Sequence, residues 1–237
     1  MSLIIGAMAY LNGSEREKFV AKTFTEIAPK YVLMNHLMTG GMDILLRKET
    51  IRVTQIHQGE SVLDLGTGTG DLAREARNQH GNIRLTAADF TLAMMTATSD
   101  WAEINRSAAD ALRLPFTDAS FDVVMSGYLV RNVSNLSAAL SEQFRVLKPG
   151  GRVIILDTTR PRRNIFTPFI NLYFKRIIPL LGALLNRNRK AYTYLTQSTE
   201  GFVTAETLSE AMRQAGFSDI HFRIRMFGTM AIHTGRK

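Results

Sequence analysis

One stretch, Ser61 to Asp71, limits the possible folds of this chain more than any other. It is an apolar run that ends in three glycines, spaced G-x-G-x-G, and a helical pattern follows from Leu72. This order predicts a buried strand, a tight turn and the start of a helix. Gly66, Gly68 and Gly70 permit positive φ and a close approach of the backbone to a ligand, which the helix N-terminal amides would face. The stretch predicts a nucleotide-type binding turn, although such a turn also occurs without a ligand.

The glycine spacing separates this turn from a dinucleotide fingerprint, which has the form G-x-G-x-x-G with the pyrophosphate at the helix N-terminus. In this chain an acidic residue, Asp64, precedes the glycines. The turn resembles the cofactor turn of the S-adenosylmethionine-dependent methyltransferases. That resemblance implies that Asp64 and the turn backbone hold the methionine end of the cofactor, and we include Thr67 and Thr69 in the predicted cofactor site.

A second predicted strand, residues 83–88, also ends in a carboxylate. Asp89 follows Gly66 by 23 residues, and a carboxylate at this strand tip is where adenosine cofactors have their ribose hydroxyls bound. The alternative role is an N-cap for the helix that starts near Thr91. The spacing from the glycine turn favours ribose binding, and the neighbouring Phe90 is assigned to the same site.

Length and composition limit the class of protein. With 237 residues, 45% of them hydrophobic, the chain can bury one large α/β core, and we expect a single domain, residues 1–237. The absence of cysteine excludes disulfides and a thiolate nucleophile, and the five histidines lack ligand-like spacing, so no metal site is predicted.

The net charge of +8 permits an acidic partner but fits a plain basic surface equally. Residues 1–11 contain no Lys or Arg, so we expect no secretory signal and a cytoplasmic protein.

Four segments are expected within this domain. Helical patterns in residues 1–58 precede the first strand and are expected to cap the ligand edge of the sheet, and residues 59–160 form the cofactor-binding core. Residues 161–201 contain a long apolar run interrupted by charges and prolines. We predict a hydrophobic lid insertion there, which lies at a membrane interface, lines a substrate channel or serves only as a structural lid. Residues 202–237 are predicted to form a C-terminal helix and a hairpin.

The third predicted strand leads into Asp110-Ala111. In methyltransferases an Asp-Ala pair in this loop binds the adenine with side chain and backbone, whereas a plain turn is the alternative. A fourth strand is predicted from Val123. The next helix is expected to end at residues 148–151 (Lys-Pro-Gly-Gly), before a fifth strand that starts at Arg152.

Several motifs together resemble the ubiquinone/menaquinone biosynthesis C-methyltransferases. They are Tyr31-x-x-Met34-Asn35-x-Leu37-Met38-Thr39, the glycine turn, Arg131-Asn132-Val133 and residues 145–152. The resemblance runs from about Phe19 to the C-terminus. It implies a Rossmann-like α/β class I methyltransferase fold: a mostly parallel seven-stranded sheet with an antiparallel C-terminal hairpin, an N-terminal helical cap and a lid insertion. It also implies that S-adenosyl-L-methionine is the cofactor, and Gly127 is included in its site.

The resemblance further implies C-methylation of the ring of a prenylated quinol, a demethylmenaquinol or a ubiquinol precursor. Departures from the family pattern lie on the substrate side and leave the acceptor open, with another lipophilic or aromatic small molecule as the alternative. Family Ser-Phe-Gly-Leu reads Gly127-Tyr128-Leu129-Val130, and family His and Trp fall at Asp43 and Leu46. The other departures are Val32, Thr39 and Asp157-Thr158-Thr159.

Methyl transfer from a sulfonium requires positioning and an electron-rich acceptor more than a metal or a covalent nucleophile. A quinol ring carbon reacts when the adjacent hydroxyl becomes phenolate-like. The resemblance indicates Arg131, Asn132 and Tyr31 as catalytic residues. We expect Arg131 to stabilise the phenolate, and Asn132 and Tyr31 to orient the hydroxyl or a water; arginine stays protonated and is not a simple base. The alternative is that Arg131 and Asn132 only fix the loop after the fourth strand.

Other functions fit less well. A nicotinamide-dependent dehydrogenase would need a different glycine spacing, and the nucleic-acid methyltransferases that act on amino groups carry adjacent prolines that this chain lacks. A non-catalytic cofactor-binding or membrane-docking protein is left open. The expected partner is a lipophilic quinol and no nucleic acid. Peripheral contact with the inner face of the membrane and a homodimer are both allowed by the sequence and left open.

Overall fold

The centre of the molecule is a seven-stranded sheet. The computed structural model describes residues 13–102, 104–160, 198 and 202–237. The strands are β1 (Ser61–Leu65), β2 (Arg84–Asp89), β3 (Asn105–Ala108), β4 (Phe121–Gly127), β5 (Leu147–Thr158), β6 (Ser218–Arg225) and β7 (Met230–Arg236). Their order is β3-β2-β1-β4-β5-β7-β6. The first five pair in parallel, and β7 runs antiparallel to both β5 and β6. The predicted sheet and its C-terminal hairpin are confirmed.

Helices surround this sheet. They are α1 (Ser14–Ile27), α2 (Tyr31–Met38), α3 (Met42–Thr54), α4 (Asp71–Gln79), α5 (Leu92–Thr96), α6 (Leu136–Val146) and α7 (Ala205–Gln214), with short 3₁₀ turns at Ala28–Lys30 and Met226–Gly228. The predicted lid at residues 161–201 lies, except for residue 198, outside the described residues, as do residues 1–12.

Two apolar layers cover the two faces of the sheet, because successive strand residues point to opposite sides. Val62 packs in one layer with Leu46 and Ile51 of α3, while the next residue, Leu63, packs in the other with Leu140 of α6. All five side chains are at most 3% exposed. Parallel strands covered on both faces appear in the sequence as continuous apolar runs, and β1 could be predicted for that reason.

A third apolar cluster lies over the carboxyl ends of the strands. Ile27, Tyr31 and Met34 pack there against Met94 of α5, with Phe24 partly buried beside them. Of the segment predicted as a cap, α1 and α2 therefore lie over the ligand edge of the sheet. Helix α3 instead packs into the core of one sheet face.

The predicted boundary between the helix before the fifth strand and that strand differs from the structure. Helix α6 ends at Val146 and β5 begins at the next residue, so the Lys-Pro-Gly-Gly segment belongs to the strand. The chain end holds it there, because Gly150 N–H donates to the Lys237 carbonyl and Lys237 N–H donates to the Gly151 carbonyl, both at 3.0 Å. The two glycines therefore do not interrupt strand β5, because the backbone of Lys237 supplies sheet hydrogen bonds to them.

Within the described part of the chain, no helix is both long enough and apolar enough to span a bilayer.

Candidate functional site

The glycine turn joins β1 to α4 at the carboxyl edge of the sheet. The amides of Gly66 and Thr67 both donate to the Ala88 carbonyl, at 2.8 and 3.0 Å, so the turn is fixed to the end of β2. Gly66 has φ +68°, and a Cβ there would lie 2.7 Å from Leu129 Cδ1. Only glycine fits that backbone and that contact. The turn is held by both conformation and packing.

Asp89 fixes the second glycine of the turn. Its Oδ2 accepts a hydrogen bond from Gly68 N–H at 2.8 Å, and its Oδ1 accepts one from Thr91 N–H at 2.7 Å. Burial raises the pKa of this carboxyl, although the two amides act in the opposite direction. Each carboxylate oxygen can accept a further hydrogen bond. Asp89 is not the N-cap of α5, since Thr91 holds that position. Its carboxylate instead accepts from the two amides and lines the cavity described below.

Asp64 is fully buried beneath the turn. Its Oδ2 accepts a hydrogen bond from Thr67 Oγ1 at 2.6 Å, while Oδ1 has no hydrogen-bond partner among the described residues. Burial raises the pKa of Asp64 to about 7, with the negative charge of Asp89 adding to the effect and the Thr67 hydroxyl opposing it. An unpartnered buried carboxylate favours a cationic ligand, because desolvation penalises the isolated charge.

This raised pKa predicts how stability depends on pH. Below about pH 4 the carboxyl is protonated in both states, and its favourable contribution to folding is fully present. It is lost as pH rises through the folded-state pKa of about 7. Each pH unit in this window removes up to about 1.4 kcal/mol from the free energy of unfolding.

The variant Asp64→Asn cannot ionise and should escape that loss. Urea denaturation of both proteins without ligand, at a series of pH values, measures the difference in their unfolding free energies. Between about pH 4 and 7, we expect the unfolding free energy of the variant to rise relative to that of the wild type. A difference that stays constant across this range would contradict the prediction.

A large open cavity lies beside the turn, with an empty volume of about 800 Å³ including its mouth. Predicted cofactor residues form one wall: Gly66, Gly68, Asp89, Phe90, Asp110, Ala111 and Gly127. Val20, Phe24 and Tyr31 of the cap form the opposite wall. One wall is rich in backbone and carboxylates, and the other is mainly apolar.

The loop at Asp110-Ala111 is both a hydrogen-bonded turn and part of the cavity lining. Asp110 Oδ1 accepts a hydrogen bond from Leu112 N–H at 2.9 Å, and the Asp110 carbonyl accepts one from Arg113 N–H at 3.0 Å. This is the plain-turn role, yet Asp110 and Ala111 also line the cavity. Phe90 lines the same cavity and is 55% exposed.

Arg131 is placed differently from the other two predicted catalytic residues. Tyr31 and Asn132 line the cavity, and Asn132 Nδ2 donates to the Tyr128 carbonyl at 2.8 Å. Arg131 is not among the lining residues. It is 8% exposed, and its Nη1 lies 2.7 Å from Asp157 Oδ1. The pairing with Asp157, itself one of the departures from the family pattern, was not predicted.

The charge of Arg131 nevertheless acts at the cavity. Burial raises the pKa of the Tyr31 hydroxyl, and the positive charge of Arg131 is the main effect that lowers it. The guanidinium also lies over the Tyr128 ring, with Cζ 5.1 Å from the ring centroid. Arg131 thus lies behind Tyr31 and Tyr128, and its positive charge acts to lower the pKa of both hydroxyls against the effect of burial.

A second, smaller cavity adjoins the first behind the glycine turn. We call it the polar annex and define it by Asn35, Arg47, Asp64, Asp71 and Tyr128, which line it together with the turn. The predicted residues Thr67 and Thr69 lie here and not in the large cavity. Gly70 lines neither cavity. It is the N-cap of α4 in a left-handed conformation.

Arg47 links the cap helices to the turn. Its Nη1 lies 2.7 Å from Asp43 Oδ2, and its Nη2 lies 3.4 Å from Asp71 Oδ2. Asp43 is fully buried and also accepts a hydrogen bond from Thr39 Oγ1 at 3.1 Å. The i,i+4 spacing of Asp43 and Arg47 is the one sequence signal that could have revealed this pair. The two residues come from α3, whereas Asp71 starts α4.

Two contacts of α1 with the loop after β4 were also not predicted. Ser134 Oγ donates to Glu17 Oε1 at 2.7 Å, and Arg16 Nη2 donates to the Arg131 carbonyl at 3.2 Å. Glu17 and Ser134 both line the mouth of the large cavity. These contacts hold the cap over the site.

The residues described contain no group of three His, Asp or Glu placed to hold a metal ion. The features of the site instead fit S-adenosyl-L-methionine. Asp89, Asp110 and Ala111 line the large cavity, and Asp64, whose buried Oδ1 has no hydrogen-bond partner among the described residues, lines the annex.

Comparisons with known proteins agree with this geometry. The model of the ubiE/COQ5 methyltransferase family matches residues 12–237. A Desulfotalea psychrophila protein named ubiquinone/menaquinone biosynthesis C-methyltransferase UbiE is 42% identical over 226 residues, which cover 92% of this chain and 90% of that protein. The demethylmenaquinone methyltransferase of Thermus thermophilus is 38% identical, with 90% of this chain and 98% of that protein covered.

Solved structures share the fold at lower identity. A possible histamine N-methyltransferase from Thermotoga maritima superposes with a TM-score of 0.64 at 19% identity, covering 91% of this chain and 99% of that one. Haemonchus contortus phosphoethanolamine N-methyltransferase 2 in complex with S-adenosyl-L-methionine gives a TM-score of 0.60 at 17% identity. That match covers 81% of this chain, which spans about half of the longer protein, 52%.

Proposed function

The chain belongs to the ubiE/COQ5 methyltransferase family, and from that premise we propose that it methylates a ring carbon of a prenylated quinol. It is an S-adenosyl-L-methionine-dependent methyltransferase. The observation that carries the proposal is the large cavity, in which a wall of turn backbone and carboxylates faces a wall of apolar cap residues. Curated relatives named for ubiquinone, menaquinone or demethylmenaquinone cover most of the chain. A demethylmenaquinol or a ubiquinol precursor is therefore the acceptor we propose.

The cofactor-binding roles follow from the wall that each residue lines. We propose that Asp89 binds the ribose hydroxyls, that Asp110 and Ala111 bind the adenine, and that Phe90 covers its face. At Gly66, Gly68 and Gly127 the backbone can lie close to the cofactor. Asp64, Thr67 and Thr69 face its methionine end. Gly70 starts the helix behind that end. When bound, S-adenosyl-L-methionine supplies an electrophilic methyl group on a sulfonium.

The residues of the chain supply position and charge for the acceptor. Tyr31 and Asn132 line the acceptor side, and in our proposal their hydroxyl and amide orient the ring hydroxyl. Because burial raises the pKa of Tyr31, its hydroxyl stays protonated and donates a hydrogen bond to a phenolate-like oxygen. Arg131 does not touch the cavity among the described residues. It therefore acts as a positioning residue whose charge favours that oxygen in its anionic form.

The proposal is tested by methyl transfer in lipid vesicles. Purified protein, cofactor with a labelled methyl group and vesicles carrying demethylmenaquinol, a ubiquinol precursor or a simple lipophilic phenol are incubated under reducing conditions. We expect label in one of the two quinols, with product mass spectrometry placing the methyl on a ring carbon. Label in the phenol alone would support the other lipophilic acceptor. Binding of S-adenosylhomocysteine without transfer to either quinol would refute quinol methylation.

We also propose that the protein meets its substrate at the inner face of the membrane while residing in the cytoplasm. A prenylated quinol is confined to the bilayer, and helices α2 and α3 expose apolar side chains at Val32, Leu33 and Leu45. The same vesicles provide the check, since protein should sediment with them at low salt when anionic lipid is present. A homodimer is compatible with this arrangement.

A further inference from the structure

Among the described residues, the cap contributes one carboxylate to the lining of the large cavity, that of Glu17. Glu17, Val20 and Phe24 all line it and are spaced three and four residues apart, so they lie on one face of α1. The other two side chains of this face are apolar. Asp89 and Asp110 also line the cavity, but they belong to the wall opposite the cap. Glu17 is therefore the carboxylate on the side where we place the methyl acceptor.

Two hydrogen bonds fix Glu17 beside the loop that follows β4. Ser134 Oγ donates to Glu17 Oε1 at 2.7 Å, and the neighbouring Arg16 donates from Nη2 to the Arg131 carbonyl at 3.2 Å. Asn132, which in our proposal orients the ring hydroxyl, also lines the cavity. It stands two residues before Ser134, so their Cα atoms are at most about 7 Å apart. The carboxylate is thus held close to the place where we expect the hydroxyl.

The proposed reaction needs a group that takes a proton, because the ring is a better nucleophile once its hydroxyl is ionised. The residues assigned to the methyl acceptor so far cannot take it. The Asn132 amide is not basic, and burial raises the pKa of Tyr31, whose hydroxyl stays protonated. Arg131 stays protonated as well. No histidine of the described residues lines either cavity. On the acceptor side, Glu17 remains as the described group that can take the proton.

We infer that Glu17 is the general base that takes the ring-hydroxyl proton of the methyl acceptor; the inference rests on the proposed function. As the O–H bond breaks, the proton goes to the Glu17 carboxylate and the electron pair stays with the ring. A ring carbon then bonds the methyl group, while the methyl–sulfur electron pair remains on sulfur. The same carbon loses its hydrogen as a proton to water, and Glu17 returns the first proton to the oxygen. Each methyl group transferred thus releases one proton, and Glu17 ends as a carboxylate.

The variant Glu17→Gln tests the inference, because it keeps the shape of the side chain and an oxygen for Ser134 but cannot take a proton. We expect single-turnover methylation in the vesicle assay to slow by about 100-fold or more. The affinity for 5′-methylthioadenosine, which shares the adenosine and sulfur of the cofactor, should not change in calorimetry. The matched control is Glu15→Gln, the same change at an exposed position of α1 that lines neither cavity, and it should turn over like the wild type.

Three readouts separate proton transfer from a structural contact between α1 and the loop. The loss in Glu17→Gln should shrink as the pH approaches about 10, where a phenol ionises in water and needs no base. Added formate should restore part of the rate in Glu17→Ala, because it supplies a carboxylate in the vacated space, and should not accelerate the wild type. Ser134→Ala keeps the carboxylate and should therefore lose less than Glu17→Gln.

The outcomes separate this inference from the proposed function. Equal rates for Glu17→Gln and Glu15→Gln would overturn the inference and leave quinol methylation intact. It is likewise overturned if Ser134→Ala is as slow as Glu17→Gln and neither pH nor formate changes the deficit, since Glu17 would then only hold the cap in place. If the wild type methylates neither quinol, the proposed function fails together with the inference.

Discussion

Replacing Asp157 with Ala is expected to destabilise the fold by about 3–5 kcal/mol, because it leaves the buried Arg131 guanidinium without its counter-charge. Asp157 is 1% exposed; it accepts from both the side chain and the backbone amide of Arg131, at 2.7 and 3.2 Å. Urea denaturation of the ligand-free variant gives the change in unfolding free energy.

A double variant separates loss of the ion pair from loss of packing. Arg131→Met with Asp157→Leu removes both charges and should be less destabilised than Asp157→Ala alone, since a buried pair is often replaceable by apolar groups. The control is Glu210→Ala in α7, whose partner Arg213 is also exposed, and which should unfold like the wild type. Equal stability of Asp157→Ala and Glu210→Ala would show that Arg131 finds another partner.

Replacing Tyr31 with Phe is expected to lower kcat about 100-fold while leaving the affinity for 5′-methylthioadenosine nearly unchanged. In our proposal the buried Tyr31 hydroxyl donates a hydrogen bond to the acceptor oxygen. Removing one donor to a developing oxyanion typically lowers kcat by about 100-fold or more. Single-turnover methylation of whichever quinol accepts label in the vesicle assay measures the chemical step, and calorimetry measures the binding.

The matched control for Tyr31→Phe is Thr23→Val. It also removes a hydroxyl from the cap, one that donates to the Phe19 carbonyl at 2.8 Å within α1 and lines neither cavity. We expect its kcat to match the wild type. Should Tyr31→Phe turn over as fast as Thr23→Val, orientation of the acceptor would have to come from Asn132 or from residues outside those described.

The sequence predicted the parts of the fold that depend on local pattern. A buried strand, a glycine turn and a helix follow one another within Ser61–Gln79, so apolar runs and glycine positions are sufficient to recognise them. The same holds for Asp89 and Asp110, whose places at strand ends follow from the order of elements in a parallel sheet.

The polar annex could not be predicted, because its members are neighbours only after folding. Asn35, Arg47 and Tyr128 lie on three elements, and nothing in their local sequence shows that they converge. The burial of Arg131 has the same origin, since its partner Asp157 stands 26 residues away on the adjacent strand. The sequence analysis named both residues, Arg131 in a motif and Asp157 as a departure from the family pattern, but did not link them.

The two walls of the large cavity come from different parts of the chain. The donor wall is built from strand ends of the sheet, while Val20, Phe24 and Tyr31 of the opposite wall belong to the N-terminal helices. Grafting the corresponding helices of a relative onto this sheet should therefore exchange acceptor preference and leave methyl-donor recognition intact. Such a division of labour lets new acceptors arise in evolution by changes confined to one short segment.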